Sequence, residues 1–365
     1  MMGMIRCRTC CMPDTRPDTP FIDGECSACV SHRKRHEIDW QARKQDLVDL
    51  LDRHHGRVIV PSSGGKDSTY QAITLKEMGA DVTAVTARTC HLTRLGRANI
   101  DNLAKHVRTI EVVPNMTVRS KLNRLCLELV GDISWPEHAA IFSTPFRLSE
   151  QIGCPLIMYG ENPQHQYGGP QGSEQAMQMT HRWVTEFGGF LGLRPADFIG
   201  VAGITAIDMQ DYEPRYAPGT EAHFLGQYLP WDSQRNARIA QHNGMKIECP
   251  SPANWWSAEN LDNAQTGIHD WFMWLKYGFG RGCQQISVDV REGLISRDDA
   301  LKWIERHDGE LATVYAGVNL KTVLDRLSLT PVQFASIAAR FTNKEIHPCS
   351  PRESSPQSSC VAELP

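Results

Sequence analysis

The sequence lacks a hydrophobic run long enough to cross a bilayer, and its first residues lack the apolar core of a signal peptide. It also lacks an excess of positive charge, because 38 lysine and arginine residues stand against 42 acidic residues. No internal repeat is visible. These absences disfavour a membrane-spanning protein, a secreted protein and a protein with a broad nucleic-acid surface. The default expectation for this chain of 365 residues is a cytoplasmic enzyme with a full hydrophobic core.

Cysteine, by contrast, is abundant, and five of the twelve cysteines lie within the first 29 residues. Without a secretory signal we do not expect disulfides. Two close pairs, Cys7-x₂-Cys10 and Cys26-x₂-Cys29, have the spacing of a tetrahedral Cys₄ site for Zn²⁺. The adjacent Cys11 makes the choice of ligands ambiguous, and an iron–sulfur site is the alternative. A closed Cys₄ site would fold the N-terminal lobe and would not be catalytic.

Residues 58–69 carry the most informative motif, Val-Ile-Val-Pro-Ser-Ser-Gly-Gly-Lys-Asp-Ser-Thr. The β-branched start predicts a buried parallel strand, and Lys66-Asp67-Ser68 open a predicted helix over 69–78. Strand, glycine turn and helix N-terminus together form a geometry that binds phosphate, because glycines let the backbone approach and free N–H groups point at the anion. A Walker A loop is excluded, since Asp67 follows the lysine and no glycine stands five positions before Gly65.

The six residues of this loop resemble the pyrophosphate loop of the ATP pyrophosphatases, the PP-loop superfamily; the alternative is a glycine turn before a well-capped helix. The superfamily splits ATP into AMP and pyrophosphate and places AMP on a substrate oxygen. The resemblance implies that the glycines and hydroxyls hold the departing pyrophosphate, that Lys66 neutralises it and that Asp67 holds Mg²⁺. The implied ATP-binding residues of the loop are Ser63, Gly64, Gly65, Lys66, Asp67 and Ser68.

A repeating pattern of strands and helices surrounds the loop. Strands are expected at 57–61, 81–86, 107–113 and 155–159, and helices at 38–53, 97–106, 118–130 and 138–152. This alternation predicts an α/β fold, a parallel sheet with helices on both faces, and the loop makes it similar to the adenine nucleotide alpha hydrolases. Since ligands bind at the carboxyl ends of such strands, Ala87, Gly160 and Glu161 are expected beside the loop.

The chain is predicted to have four parts. They are a zinc-binding lobe at 1–36, a PP-loop ATP pyrophosphatase domain with substrate-covering segments at 37–260, a helical region at 261–346 and a disordered tail at 347–365. Residues 163–260 are rich in glycine, proline and polar aromatics, which predicts irregular segments over the sheet edge. The substrate-pocket candidates are Asn162, His165, Tyr167, Arg182, Asp211, Tyr212, Tyr228, Trp231 and Asp232.

Several longer strings resemble the N-acetyl sugar amidotransferases of bacterial surface-polysaccharide synthesis, over roughly residues 5–345. They are the cysteine pairs, Met12-Pro13-Asp14-Thr15-Arg16-Pro17, the Ser63–Ser68 loop, Gly160-Glu161-Asn162-Pro163-Gln164, Tyr167-Gly168-Gly169, Tyr228-Leu229-Pro230-Trp231-Asp232, Gly267-Ile268-His269-Asp270 and Lys276-Tyr277-Gly278. Cys11, where the family usually has an aliphatic residue, and the Ser/Pro-rich tail depart from its pattern.

The resemblance implies that an acetamido group on a nucleotide-linked sugar becomes an acetamidino group, in lipopolysaccharide O-antigen or related synthesis. ATP would adenylate the amide oxygen, and ammonia would attack the imidate carbon. Glu161 would share the metal or orient the substrate, and Lys276 would contact it. Asp211, His165 and Asp270 are candidates for the ammonia proton. A separate glutaminase subunit and a cyclase-like subunit would supply ammonia through a channel, with no membrane partner.

The rival interpretation is a tRNA thiolase, which also joins cysteine knuckles to this loop and adenylates an oxygen. It is disfavoured because no Cys-x₂-Cys pair follows residue 29 and the chain is acidic overall. The one basic cluster, at 32–36, is more typical of a solvated helix start than of an RNA contact. A zinc-bearing scaffold with an inactive nucleotide site is the non-enzymatic alternative, and the intact loop argues against it.

Overall fold

The computed structural model describes residues 4–17, 19–170 and 176–348, except for the side chain of His165. The N-terminal lobe contains β1 Phe21–Ile22, β2 Glu25–Cys26 and α1 Ser27–Arg33. The central part contains α2 Trp40–Arg53, β3 Arg57–Pro61, α3 Lys66–Glu77, β4 Asp81–Ala87, α4 Arg94–Leu103, β5 Arg108–Val112, α5 Met116–Val130, α6 Trp135–Ile152, β6 Leu156–Tyr159, α7 Pro163–Tyr167, α8 His181–Phe187, α9 Ala206–Met209, β7 Glu221–Phe224 and α10 Ser233–His242. The C-terminal part contains α11 Thr266–Tyr277, α12 Arg281–Arg291, α13 Arg297–His307, β8 Val314–Tyr315, β9 Val318–Asn319, α14 Leu320–Arg326 and α15 Pro331–Phe341.

Five parallel strands form the central sheet, in the order β5-β4-β3-β6-β7. Alternate side chains of β3 enter opposite cores. Ile59 packs with side chains of α5 and α6, whereas Val58 and Val60 pack with those of α2 and α3. A strand covered on both faces needs apolar residues at every position, which explains the continuous run at 58–60. The predicted α/β class, with helices on both faces of a parallel sheet, is confirmed.

The segment expected to be irregular contains more regular structure than its sequence indicates. It adds β7 to the edge of the sheet, and α8 and α10 also lie within it. β7 has only four residues, and two of them, Glu221 and His223, are polar, so it has no apolar run. His223 is buried with both ring nitrogens engaged, by Glu221 at 3.0 Å and by the hydroxyl of Tyr228 at 2.7 Å. These two contacts let a polar residue occupy the strand.

The N-terminal lobe and the C-terminal helices share one hydrophobic core. The paired cysteines and Met12 pack with Phe279 and with apolar side chains of α12 and α13. Arg297 adds polar links, because its Nε donates to the main-chain oxygens of Cys7 and Cys10 at 3.0 Å each. The N-terminal lobe and helices α12 and α13 therefore stabilise each other.

The C-terminal helix α11 packs through the apolar stripe that its sequence shows. Ile268, Trp271, Phe272 and Leu275 contact apolar side chains of α14 and α15. Within the described residues, no helix has both the length and the hydrophobicity that a membrane crossing requires. Of the tail predicted at 347–365, the residues from 349 onward lie outside the described part of the chain.

Candidate nucleotide site and metal centre

The glycine loop after β3 leads into a helix whose N-terminus has no side-chain cap. α3 begins at Lys66, three residues earlier than the sequence predicts, and Gly65 stands at its N-cap position without a side chain that accepts hydrogen bonds. Ser62, which the sequence reasoning missed, ties the loop together. Its Oγ accepts from the N–H of Gly64 and donates to Ser68 Oγ, both at 3.0 Å. An uncapped helix N-terminus beside glycines is an anion site.

Lys66 lies at the centre of a group of carboxylates. It is 4% exposed, its ammonium contacts Asp67, and its Nζ lies 5.4 Å from the ring centroid of Trp256. Desolvation works to lower the pKa of this ammonium, but the carboxylates of Asp67, Glu259 and Glu161 outweigh it, and the pKa of Lys66 is raised. The side chain is therefore a permanent buried cation beside the helix N-terminus.

A cavity of about 300 Å³ lies between this loop and a roof formed by residues 258–262. The roof is held against α4, where the N–H of Thr93 donates to the main-chain oxygen of Asp262 at 3.0 Å. Gly96 allows this approach, because a Cβ there would collide with Asp262. Burial raises the pKa of Asp262 to about 6. The volume is in the range of small-molecule sites.

Eight residues predicted from the sequence line this cavity together. They are Ser63, Gly64, Gly65, Lys66, Asp67, Ser68, Ala87 and Gly160. The lining also includes Glu259, which no sequence motif indicates. Glu259 accepts a hydrogen bond from Gln285 Nε2 at 2.8 Å, and the hydroxyl of Tyr167 lies 3.5 Å from its other oxygen. Carboxylates and the buried ammonium of Lys66 around one cavity suit a polyphosphate with a bound Mg²⁺.

Glu161 follows β6 as the sequence predicts and lies next to the loop. Desolvation and the neighbouring carboxylate of Asp67 raise the pKa of Glu161 well above its ordinary value, against the opposing effect of Arg35 and Lys66. Gln166 bridges Glu161 to α10: its amide nitrogen donates to Glu161, and its oxygen accepts from Ser233 Oγ at 3.0 Å. Glu161 itself is not part of the cavity lining but directly follows Gly160, which is, and its carboxyl group binds a proton readily.

The N-terminal cysteines form a compact cluster. The sulfur atoms of Cys7, Cys10, Cys26 and Cys29 all lie within 4.8 Å of one another, and three of the pairs are separated by 3.5 to 3.7 Å. Tetrahedral Zn²⁺ with Zn–S bonds of about 2.3 Å requires sulfurs about 3.8 Å apart, so the cluster fits zinc. Cys11 lies outside the cluster, and burial raises the pKa of its thiol to about 12. Its thiol therefore stays neutral.

Five of the predicted substrate or catalytic residues are engaged away from the cavity. Arg182 is exposed and pairs with Glu186, and Asp211 pairs with Arg147. The buried hydroxyl of Tyr212 accepts from Arg119 Nε at 3.0 Å.

The other two of these five residues, Asp270 and Lys276, lie in the C-terminal part. Asp270 pairs with Arg281 at 3.0 Å, and Lys276 donates to the main-chain oxygen of Val130 at 3.3 Å. Asn162, also predicted, caps α7 through a hydrogen bond from Gln164 N at 3.0 Å. The side chain of His165 lies outside the described residues.

The sequence of the C-terminal part matches a known family. Residues 253–351 match the family model described as "LPS biosynthesis protein WbpG-like, C-terminal domain". The matched segment includes the roof over the cavity and helices α11 to α15. Among curated proteins, a search found none that matches the chain. The match shows that residues 253–351 are similar to this C-terminal domain of lipopolysaccharide biosynthesis proteins.

Proposed function

We propose that the protein is an ATP-dependent, AMP-forming amidotransferase that converts the acetamido group of a nucleotide-linked sugar into an acetamidino group. The uncapped helix N-terminus with its buried, charged Lys66, beside a cavity of nucleotide-binding size, carries this proposal. The match of residues 253–351 to lipopolysaccharide biosynthesis proteins supports the sugar as acceptor.

Adenylation solves the chemical difficulty of the reaction, which is that an amide oxygen is a poor leaving group. The acetamido oxygen attacks the α-phosphorus of ATP, the bond to the β-phosphate oxygen breaks, and pyrophosphate leaves with the electron pair. The ammonium of Lys66 and the N–H groups of the first turn of α3 stabilise the charge that develops on pyrophosphate. Mg²⁺ held by Asp67 would neutralise further charge on the phosphates.

In the second step ammonia attacks the imidate carbon, AMP leaves with the former amide oxygen, and a base takes a proton from nitrogen. We assign the base to Glu161. Its raised pKa makes it a better proton acceptor than an ordinary carboxylate, and it directly follows Gly160, which lines the nucleotide cavity. Of the three candidates from the sequence, Asp211 and Asp270 are instead bound to Arg147 and Arg281, and the side chain of His165 lies outside the described residues.

The ammonia source in this proposal is a separate glutaminase subunit with a cyclase-like partner, which passes ammonia through a channel. The N-terminal lobe serves as a zinc-dependent support for the loop after β6. Arg16 donates to the main-chain oxygen of Tyr167, and the N–H of Gly169 donates to Ser27 Oγ at 3.2 Å. Zinc would therefore stabilise the site without taking part in the chemistry.

The test is pyrophosphate release by zinc-loaded protein with ATP, Mg²⁺ and ammonium, in the presence of UDP- or CMP-linked acetamido sugars or of bulk tRNA. We expect release only with a sugar, and loss of release in Asp67→Ala. Asp81→Ala is the matched control, because Asp81 is exposed and begins β4, at the end of the strand that is opposite the loop. Release only with tRNA would overturn the proposal in favour of RNA modification.

A further inference from the structure

A second cavity, of about 440 Å³, lies between the N-terminal lobe, α10, residues 255–257 and α12. Side chains separate it from the nucleotide cavity. Trp231 lines the second cavity, and a Cβ at Gly160 in the nucleotide cavity would lie only 3.1 Å from Trp231 Cη2. Trp256 also lines the second cavity, and its ring centroid lies 5.4 Å from Nζ of Lys66, which lines the nucleotide cavity. A ligand in the second cavity is therefore one side chain away from the nucleotide site.

Three indole rings line the second cavity, and two of them are fixed in place. Asp289 Oδ2 accepts from Trp255 Nε1 at 2.6 Å and from Trp256 Nε1 at 2.9 Å. The third ring belongs to Trp231, which is 8% exposed, and its Nε1 has no hydrogen-bond partner among the described residues. Rigid indole faces pack well against the C–H face of a pyranose ring, and a buried N–H without a partner favours a polar ligand atom.

Three arginines line this cavity, in different environments. Arg291 donates to the main-chain oxygen of Gln166 at 2.5 Å and is therefore engaged. Arg35 is held by Glu292 at 3.5 Å and donates to the main-chain oxygen of Trp231 at 3.4 Å. Arg238 is exposed, and no ion pair or hydrogen bond engages its guanidinium within the described residues. A free guanidinium at the mouth of an aromatic cavity suits a phosphate group, which it binds through two parallel hydrogen bonds.

We propose that the second cavity is the acceptor site, in which the sugar ring packs against Trp231 and a phosphate group of its nucleotide binds Arg238. The sugar is then the part nearest to Gly160, so that its acetamido group reaches the nucleotide cavity past Trp231. The nucleoside extends outward from the mouth, because 440 Å³ is at the small end for a ligand of that length. This inference rests on the proposed function and adds a location for its acceptor.

The experiment measures the binding of two probes by calorimetry. The sugar probe is UDP-N-acetylglucosamine, or whichever member of a panel of UDP- and CMP-linked acetamido sugars binds most tightly. The nucleotide probe is α,β-methylene-ATP. Arg238→Gln is expected to raise the Kd of the sugar probe about 10- to 100-fold, as the loss of a charge-assisted hydrogen bond requires. It should leave the Kd of the ATP analogue unchanged. The matched control is Arg182→Gln, because Arg182 is also exposed and lines neither cavity; this substitution should change neither value.

The outcomes separate this inference from the proposed function. If Arg238→Gln leaves the affinity for the sugar probe unchanged while sugar-dependent pyrophosphate release persists, the acceptor binds elsewhere and the function stands. Failure of every sugar of the panel to bind the wild-type protein would overturn the acceptor site. If a sugar binds and Arg238→Gln weakens it, but no sugar triggers pyrophosphate release, the site stands and the proposed reaction does not.

Discussion

The two glycines of the loop provide the sharpest test of its structure, because they look equivalent in sequence and differ in the structure. Gly64 has a φ of +75°, and a Cβ there would lie 2.7 Å from the main-chain nitrogen of Ile100 and 2.9 Å from the carbonyl carbon of Asn99. Gly65 has a φ of −76° in extended backbone, and its nearest neighbour would be Ser63 Oγ at 3.3 Å. Only Gly64 requires both the left-handed conformation and the missing side chain.

The expected cost of Gly64→Ala follows from these two features. The left-handed backbone costs about 1–2 kcal/mol for a residue with a Cβ, and a collision with backbone atoms adds about 1–3 kcal/mol. We therefore expect a loss of about 2–5 kcal/mol in the free energy of unfolding. Gly65→Ala should stay within about 1 kcal/mol of wild type, since alanine adopts extended backbone and restricts the unfolded chain.

Urea unfolding without nucleotide measures both variants, which keeps the effect on folding apart from any contact with phosphate. A second measurement, the Kd of α,β-methylene-ATP, should show weakened binding in Gly64→Ala even where the protein is folded. Equal costs for the two substitutions would refute the packing of the loop against α4. A stable Gly64→Ala protein would refute the backbone conformation itself.

Two further predictions concern the metal centre and the contact of α11 with the central part. Cys26→Ser should lose bound zinc and much of the folding energy of the lobe, on the order of 10 kcal/mol for a structural zinc site, whereas Cys11→Ser should keep its zinc. Metal analysis and thermal unfolding measure both variants. Zinc loss in both variants would contradict the ligand set. Asp132 pairs with His269 at 2.8 Å, and Asp132→Asn should cost about 3–5 kcal/mol near pH 6, measured by urea unfolding. Desolvation opposes both charges, but their attraction outweighs it, so the pKa of His269 is raised and that of Asp132 is lowered. The stabilisation is therefore fully present between the ordinary values of 3.8 and 6.5, is lost as the pH rises through the raised pKa of His269, and is lost in acid through the lowered pKa of Asp132. An equal cost of the substitution at pH 6 and at pH 9 would contradict this assignment.

The parts of the site that the sequence predicts are those built from neighbouring residues. The loop from Ser63 to Ser68 is continuous, and its conformation follows from glycines between a strand and a helix. Glu161 is placed by the end of a buried strand, which any parallel sheet brings to the same edge. The cysteine cluster follows from spacing alone, since two close pairs form a tetrahedral site wherever the chain lets them meet.

The parts that the sequence does not predict depend on distant contacts. Glu259 lines the same cavity as Lys66 because the roof is folded back over α4, and its own neighbours in sequence contain no motif. The prediction of Arg182 and Tyr212 as substrate residues depends only on residue type within a stretch rich in polar aromatics. The structure satisfies both locally, one with Glu186 and the other with Arg119, and residue type gives no indication of such partners.

The central claim is that ATP adenylates the acetamido oxygen of a sugar. The most direct measurement uses a nucleotide-linked sugar that carries ¹⁸O in its acetamido carbonyl, with ATP, Mg²⁺, ammonium and the zinc-loaded protein, and mass spectrometry of the products. We expect the label in the phosphate of AMP and an acetamidino group in the sugar product. Unlabelled AMP, or label found in inorganic phosphate instead, would contradict this claim.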